Sequence, residues 1–314
     1  MRRVSILLAL AGLAVAALLL LRFDARQVIG AAFAVGWQGF ALLLLWQGLL
    51  FIILGLAWAS VLPGMRPGLL VWGRMVRDAA TTCLPFSPVG GYVIGARAVT
   101  LRGAAWPTAA AGTVVDVTAE IMAQLLFALF GVVVLVLARP GSALLGPLLV
   151  VLGVGIAGML LFYGVRRRIG RVLQALGERL LGDWFRAQGG LERLRYEMDR
   201  LYAQRGRLLL GTALHLSGWV ATGVGTWISL RLLGHPTELV SVVALEALLD
   251  MVIAAAFIVP GAAGVQEAGL VGLGAVFGVP PDVALSVSLL RRAKDIGWGL
   301  PILGVWQWQE VRRL

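Results

Sequence analysis

Five stretches of this chain, residues 4–21, 39–62, 121–138, 143–163 and 208–230, run for 18 residues or more without an Asp, Glu, Lys or Arg, and they restrict the fold more than any other feature. A hydrocarbon core about 30 Å thick is crossed by about 20 apolar residues in an α-helix, which satisfies its own backbone polar groups. Composition points the same way, since 60% hydrophobic and 14% charged residues lie outside the soluble range. The expected fold class is all-α, a polytopic membrane helix bundle with residues 1–314 forming a single transmembrane domain. The chain does not read as a soluble enzyme.

Orientation follows from where the bases sit. The formal charge is +11, and the segment 165–207 carries eleven arginines against Glu178, Asp183, Glu192, Glu197 and Asp199. Basic loops stay on the cytoplasmic side, so this amphipathic segment is placed there, as are both termini with Arg2, Arg3, Arg312 and Arg313. The basic start and apolar run at the N-terminus are read as a retained first helix, because the run offers no convincing small-residue cleavage site. The expected location is the cell inner (cytoplasmic) membrane, multi-pass.

Threading from inside gives about six full spans. Residues 39–62 return to the cytoplasm, 106–137 run outward, 143–163 inward, 208–233 outward and 282–306 inward. Residues 68–105 must then begin and end inside, and 238–279 must begin and end outside. Arg74, Arg77 and Asp78 interrupt the first stretch and LPFSPVGG lies in its middle, while VPGAAG breaks the second. Two oppositely oriented re-entrant hairpins fit, with tips at Pro85, Gly90 and Gly91 and at Pro260, Gly261 and Gly264. Each hairpin plus the following helix, 68–138 and 238–306, reads as one half of an inverted repeat. Pro85 precedes Pro107 by 22 residues and Pro260 precedes Pro281 by 21, and charged pairs follow in near register at Asp116/Glu120 and Arg291/Asp295. The upstream charges align less well, Asp78 standing 7 residues before its proline and Asp250 standing 10 before its own.

A charge in the middle of a membrane helix costs about 2.5–3.5 kcal/mol, against about 0.3–0.6 kcal/mol returned by each Leu or Val. Asp116 and Glu120 therefore cannot face lipid, and at i, i+4 they share a face, as do Arg74/Asp78, Glu246/Asp250 and Arg291/Asp295. Pairing between helices would account for any one of these groups. As a set they point to a polar cavity, and the candidate substrate-binding residues are Arg74, Arg77, Asp78, Arg97, Asp116, Glu120, Glu246, Asp250, Glu267, Arg291, Arg292 and Asp295.

Other chemistry finds no support. The single Cys83 excludes an internal disulfide, and His215 and His235 form no metal-ligand cluster, so no metal or other cofactor is expected. His215 reads as an interfacial or packing residue near the cytoplasmic start of its helix. The glycines of GWQGF and GVQEAGLVGLG follow no strand of a βαβ unit, and no nucleotide site is implied. The arginine-rich segment reads as a positive-inside determinant that can touch anionic headgroups, not as a nucleic-acid site. Tryptophans 37, 46, 219, 298, 306 and 308 fit largely with an interfacial belt.

The segment LPFSPVGGYVIGARAVTLRG (84–103), followed by a helix bearing Asp116 and Glu120, resembles the first signature of the lysylphosphatidylglycerol synthase transmembrane-region family, also called flippase-like membrane proteins. VPGAAGVQEAGLVGLGAVFGVPPDVALSVSLLRRAKDIGWGLP (259–301) is similar to the second, with Pro260, Gly261, Gly264, Glu267, Gly278, Val279, Pro280 and Arg291 or Arg292 at the family positions. Ala262 and Ala263 depart from the usual Gly-Gly after the second Pro-Gly. GRMVRD (73–78) and VVDVTAE (114–120) look most like members associated with hopanoid biosynthesis. The resemblance implies movement of lipids or lipid-linked molecules between leaflets. Some members carry a soluble aminoacyl-transfer domain; none is expected after Leu314, and synthase activity is not implied.

The expected function is therefore a lipid transporter or flippase for a polar-headed or hopanoid-type lipid, with membrane lipids as partners and no nucleic acid. One alternative is a non-transporting scaffold or regulator of lipid-biosynthesis enzymes. Another is an ion-coupled transporter of a small solute using the same carboxylates. Oligomeric state is not legible in the sequence.

Overall fold

The computed structural model describes residues 30–31, 33–84, 88–165, 190–256 and 264–312. The apolar run 4–21, the segment 166–189 and the hairpin-tip residues Pro85, Pro260 and Gly261 lie outside the described residues. Among those described, the chain forms ten helices and no strand: α1 (Gly36–Val61), α2 (Pro67–Cys83), α3 (Pro88–Thr100), α4 (Trp106–Ala138), α5 (Leu145–Val165), α6 (Gly190–Ala203), α7 (Arg205–Leu232), α8 (Leu239–Ala255), α9 (Val265–Val276) and α10 (Pro281–Val311). Proline opens α2, α4 and α10 in the first turn, where its missing N–H costs no intrahelical bond.

Four helices, α1, α4, α5 and α7, are long and apolar enough to cross a membrane. Leu42, Leu45, Leu49, Ile52 and Leu56 of α1 and Leu149, Val150, Val154, Leu160 and Leu161 of α5 stay exposed. So much contiguous apolar surface on one molecule suits lipid, not water. The 31 residues of α10 are long enough to cross, but Arg291, Arg292, Lys294 and Asp295 in its middle keep it out of the apolar set.

The shorter helices come in two matched sets. The arms α2 and α3 have 17 and 13 residues, and α8 and α9 have 17 and 12. At 1.5 Å per residue these reach about 18–26 Å, short of the hydrocarbon core. Within each set the arms pack on each other and the second arm packs on the following long helix, α3 on α4 and α9 on α10. Between the sets the partners are exchanged, with α2 against α10 and α8 against α4. Helices α1 and α7 pack together, and each also packs on the first arm that follows it. The same pairs of helices are thus in contact when α1–α4 and α7–α10 trade places, a pseudo-two-fold pattern, although α4 packs more extensively on α7 than α10 does on α1. Glycine makes the equivalent crossings possible: a Cβ on Gly55 of α1 would meet the Val71 backbone, and one on Gly223 of α7 would lie 3.0 Å from the Val243 Cα. Val71 and Val243 each stand four residues into their arms.

Arg74, Arg77 and Asp78 do not interrupt the first arm, because α2 runs unbroken from Pro67 to Cys83 with the two arginines on its buried face. Gly90 and Gly91 are helical residues of α3 and not tip residues, since Pro88 starts the helix before them. A Cβ at Gly91 would overlap Thr81 of α2, so it serves the close approach of the arms. Gly264 does sit at a break, at φ 79°. The described end of the arginine-rich segment, α6, buries Leu194 and Leu201 against α4, and Tyr202 hydrogen-bonds Thr118 at 2.7 Å.

Candidate functional site: a charged cavity between two hairpin repeats

Of the charged pairs foreseen within the membrane helices, Asp116/Glu120 and Glu246/Asp250 are buried and Arg74/Asp78 and Arg291/Asp295 partly so, and the charges form two sets. In the first, Arg74 of α2 bonds Asp78 and Glu120, both at 2.9 Å. Arg77 bonds Asp116 at 2.8 Å and also Glu120, and its guanidinium lies 4.1 Å from the centre of the Tyr92 ring of α3. His215 of α7, with no exposed surface, bonds the other Asp116 oxygen at 2.8 Å. The interfacial or packing role expected for His215 is thus corrected. His215 sits 99 residues from its partner, so only the fold shows that it joins the network.

In the second half, Arg291 of α10 bonds Glu246 of α8, and Thr226 of α7 donates to the same carboxylate at 2.7 Å and accepts from Arg291 at 3.0 Å. Arg292 pairs with Glu267 of α9 at 2.6 Å, and Glu267 also accepts the Gly264 N–H at 2.9 Å, so this carboxylate fastens the hairpin tip to α10. Asp250 is buried near Glu246 and Arg291, and its Oδ2 has no hydrogen-bond partner.

Counted from the helix starts, the charges fall into strict register. Arg74 and Glu246 each stand seven residues into their arms, and Asp78 and Asp250 each stand eleven. Asp116 and Arg291 each stand ten residues into their long helices, and Glu120 and Asp295 fourteen. The apparent slip of the upstream charges arose from counting back from Pro85 and Pro260. The breaks differ in length, four residues between α2 and α3 against nine between α8 and α9, while the arms do not.

Between the halves lies a cavity of about 240 Å³. Its polar wall is Gln47 of α1, Arg74 and Asp78 of α2, Thr222 of α7, and Arg291, Lys294 and Asp295 of α10. Lys294 bonds Gln47 and lies 3.1 Å from Asp295. A smaller void beside it continues along α1, α7 and α10 past Thr226 and Ser229. Of the expected site residues, Arg74, Asp78, Arg291 and Asp295 line the cavity. Arg77, Asp116 and Glu120 stand behind Arg74, and Glu246 and Asp250 stand behind Arg291. Arg292 and Glu267 do not line it, and Arg97, half exposed, is tied to Glu310 at 2.8 Å instead. Gln47 and Thr222 were not foreseen, and Lys294, a basic member of the same charged set, was not among the residues expected to bind substrate. Lys294 carried a signal nonetheless, as the single lysine of the chain set among charges in an apolar helix.

An all-helical bundle with long apolar helices, two matched sets of short arms and a cavity lined by charged side chains defines a polytopic membrane protein with a polar site between its helices. Residues 6–304 match the family described as the lysylphosphatidylglycerol synthase TM region, and the chain belongs to that family. No curated protein and no solved structure matches it. It is therefore an integral membrane protein of a lipid-related family.

Proposed function

We propose that the protein is a lipid transporter or flippase that holds the polar headgroup of a lipid, hopanoid-type lipids included, in the cavity between its two hairpin repeats. The observation that carries this reading is that charged side chains from both repeats, Arg74 and Asp78 from one and Arg291, Lys294 and Asp295 from the other, face one cavity. Ion pairs that only fastened helices would leave no such space. The volume, about 240 Å³, falls below the roughly 300–1,000 Å³ of sites that enclose drug-sized ligands, so it suits a headgroup whose tails stay in the bilayer.

In this reading the protein sits in the inner membrane with both termini and α6 on the cytoplasmic side. Helix α1 runs inward, α4 outward, α5 inward, α7 outward and α10 inward, so that α2–α3 enters from the cytoplasm and α8–α9 from outside. The pseudo-two-fold contact map and the arms too short to cross support such inverted repeats, which place a site near the midplane. Function is carriage without catalysis, and membrane lipids are the partners. Reconstitution into liposomes with fluorescent phospholipids and hopanoid-type lipids, followed by a leaflet-resolved quenching assay, tests it. Lipid exchange above protein-free vesicles is expected. Absence of exchange for every lipid, with association to lipid-biosynthesis enzymes retained, would replace transport by scaffolding, and uptake of a small polar solute alone would point to solute transport.

A further inference from the structure

We propose that Asp250 is a proton-binding site through which lipid movement is coupled to a proton gradient; the coupling rests on the transport reading, the proton site does not. Asp250 occupies the same register position as Asp78, eleven residues into its arm, yet the two are treated differently. Asp78 is bonded by Arg74 at 2.9 Å and opens on the cavity. Asp250 is only 9% exposed, and its Oδ2 is buried without a hydrogen-bond partner.

The groups around it do not neutralise it. Glu246, one turn earlier on α8, and Arg291 of α10 are the charges that act on Asp250, and Arg291 already bonds Glu246. Of the helices packed on α8, α4 presents Asp116 and Glu120, both bound to Arg77. Helix α7 presents His215, bound to Asp116, and Arg231, stacked on Trp227; α9 presents Glu267, bound to Arg292. Two carboxylates thus share one guanidinium in an apolar setting, and the second requires a cation. A metal ion would need several oxygen ligands, and among the described residues no three His, Cys, Asp or Glu side chains converge. A proton needs one oxygen.

The position supplies the coupling. Arg291 reaches Glu246 on one side and the cavity on the other. With a proton on Asp250, Arg291 answers to Glu246 and to an anionic group in the cavity. Without it, Asp250 competes for the same guanidinium and the cavity loses positive charge. Proton and anionic headgroup therefore bind cooperatively and travel together, the proton being taken up and released by the Asp250 carboxylate at the two faces.

Two measurements on the full-length protein test this. Infrared difference spectra of protein in nanodiscs, titrated with pH, should show a protonated-carboxyl band in the wild type that disappears in Asp250→Asn and remains in Asp78→Asn. In proteoliposomes an imposed pH gradient should drive wild-type lipid accumulation by up to about tenfold per pH unit for one proton per lipid, and Asp250→Asn should show no response. A band that persists in Asp250→Asn, or a gradient response equal to wild type in that variant, would overturn the proposal. So would a wild-type response that follows sodium at fixed pH. If the wild type moves no lipid, the transport reading falls, and the infrared band alone still decides the proton site.

Discussion

The two hairpin repeats place charges at the same helix positions, opposite in sign at Arg74/Glu246 and Asp116/Arg291 and alike at Asp78/Asp250 and Glu120/Asp295, and they close their networks to different degrees. In the first, the arm is basic and the long helix acidic; Arg74, Arg77 and His215 share Asp78, Asp116 and Glu120, and each of these carboxylates is bonded. In the second, the arm is acidic and the long helix basic, and Asp250 keeps an unbonded oxygen. The first set, closed in that every carboxylate is bonded although Arg74 Nη1 and His215 Nδ1 have no partner, ties α2, α4 and α7 into one body. The second set leaves one Asp250 oxygen free for a further cation or donor, as the transport reading requires.

This contrast sets the largest expected effect. Arg291→Met removes the one guanidinium that Glu246 and Asp250 share and should destabilise the fold by about 3–5 kcal/mol, read as a collapse of monodisperse yield and melting temperature in detergent. Arg77→Met leaves Asp116 on His215 and Glu120 on Arg74 and should be milder. Equal losses would erase the distinction between a closed and an open network.

His215→Phe removes one hydrogen bond from Asp116 while Arg77 keeps the other, and should cost roughly 1.5–3 kcal/mol by the same assay. A neutral result would show that Asp116 does not depend on α7. Valine at Gly55 or Gly223 overpacks equivalent crossings of the two repeats, at about 1–3 kcal/mol each. Gly55→Val should be the worse, because its Cβ meets the Val71 backbone more closely. The reverse order would mean that the crossings are not equivalent. Arg97→Met breaks a half-exposed pair with Glu310 and should change stability by at most about 1 kcal/mol.

The elements that lipid dictates were legible in the chain. The expected spans 39–62, 106–137, 143–163 and 208–233 fall on α1, α4, α5 and α7 within a few residues, because twenty uncharged apolar residues admit few alternatives. The buried faces of α2, α4, α8 and α10 were legible through the i, i+4 charges. Which charge meets which was not, since Arg77 finds Asp116 across 39 residues and Arg291 finds Glu246 across 45, distances that only packing closes. Nor could one-dimensional spacing separate residues that line the cavity from those behind it. Arg97, half exposed on α3, points to Glu310, while Lys294 and Gln47, 247 residues apart in the chain, meet in the cavity wall.

The central claim, that the cavity between the repeats is where a lipid headgroup is held, is tested most directly by leaflet-resolved flux through Lys294→Met, normalised to folded protein and set beside Arg97→Met. Lys294 lines the cavity and Arg97 does not. Loss of one charged contact to the headgroup should lower Lys294→Met flux by about tenfold or more, with Arg97→Met close to wild type. Wild-type flux in well-folded Lys294→Met, or an equal fall in both variants, would contradict the account.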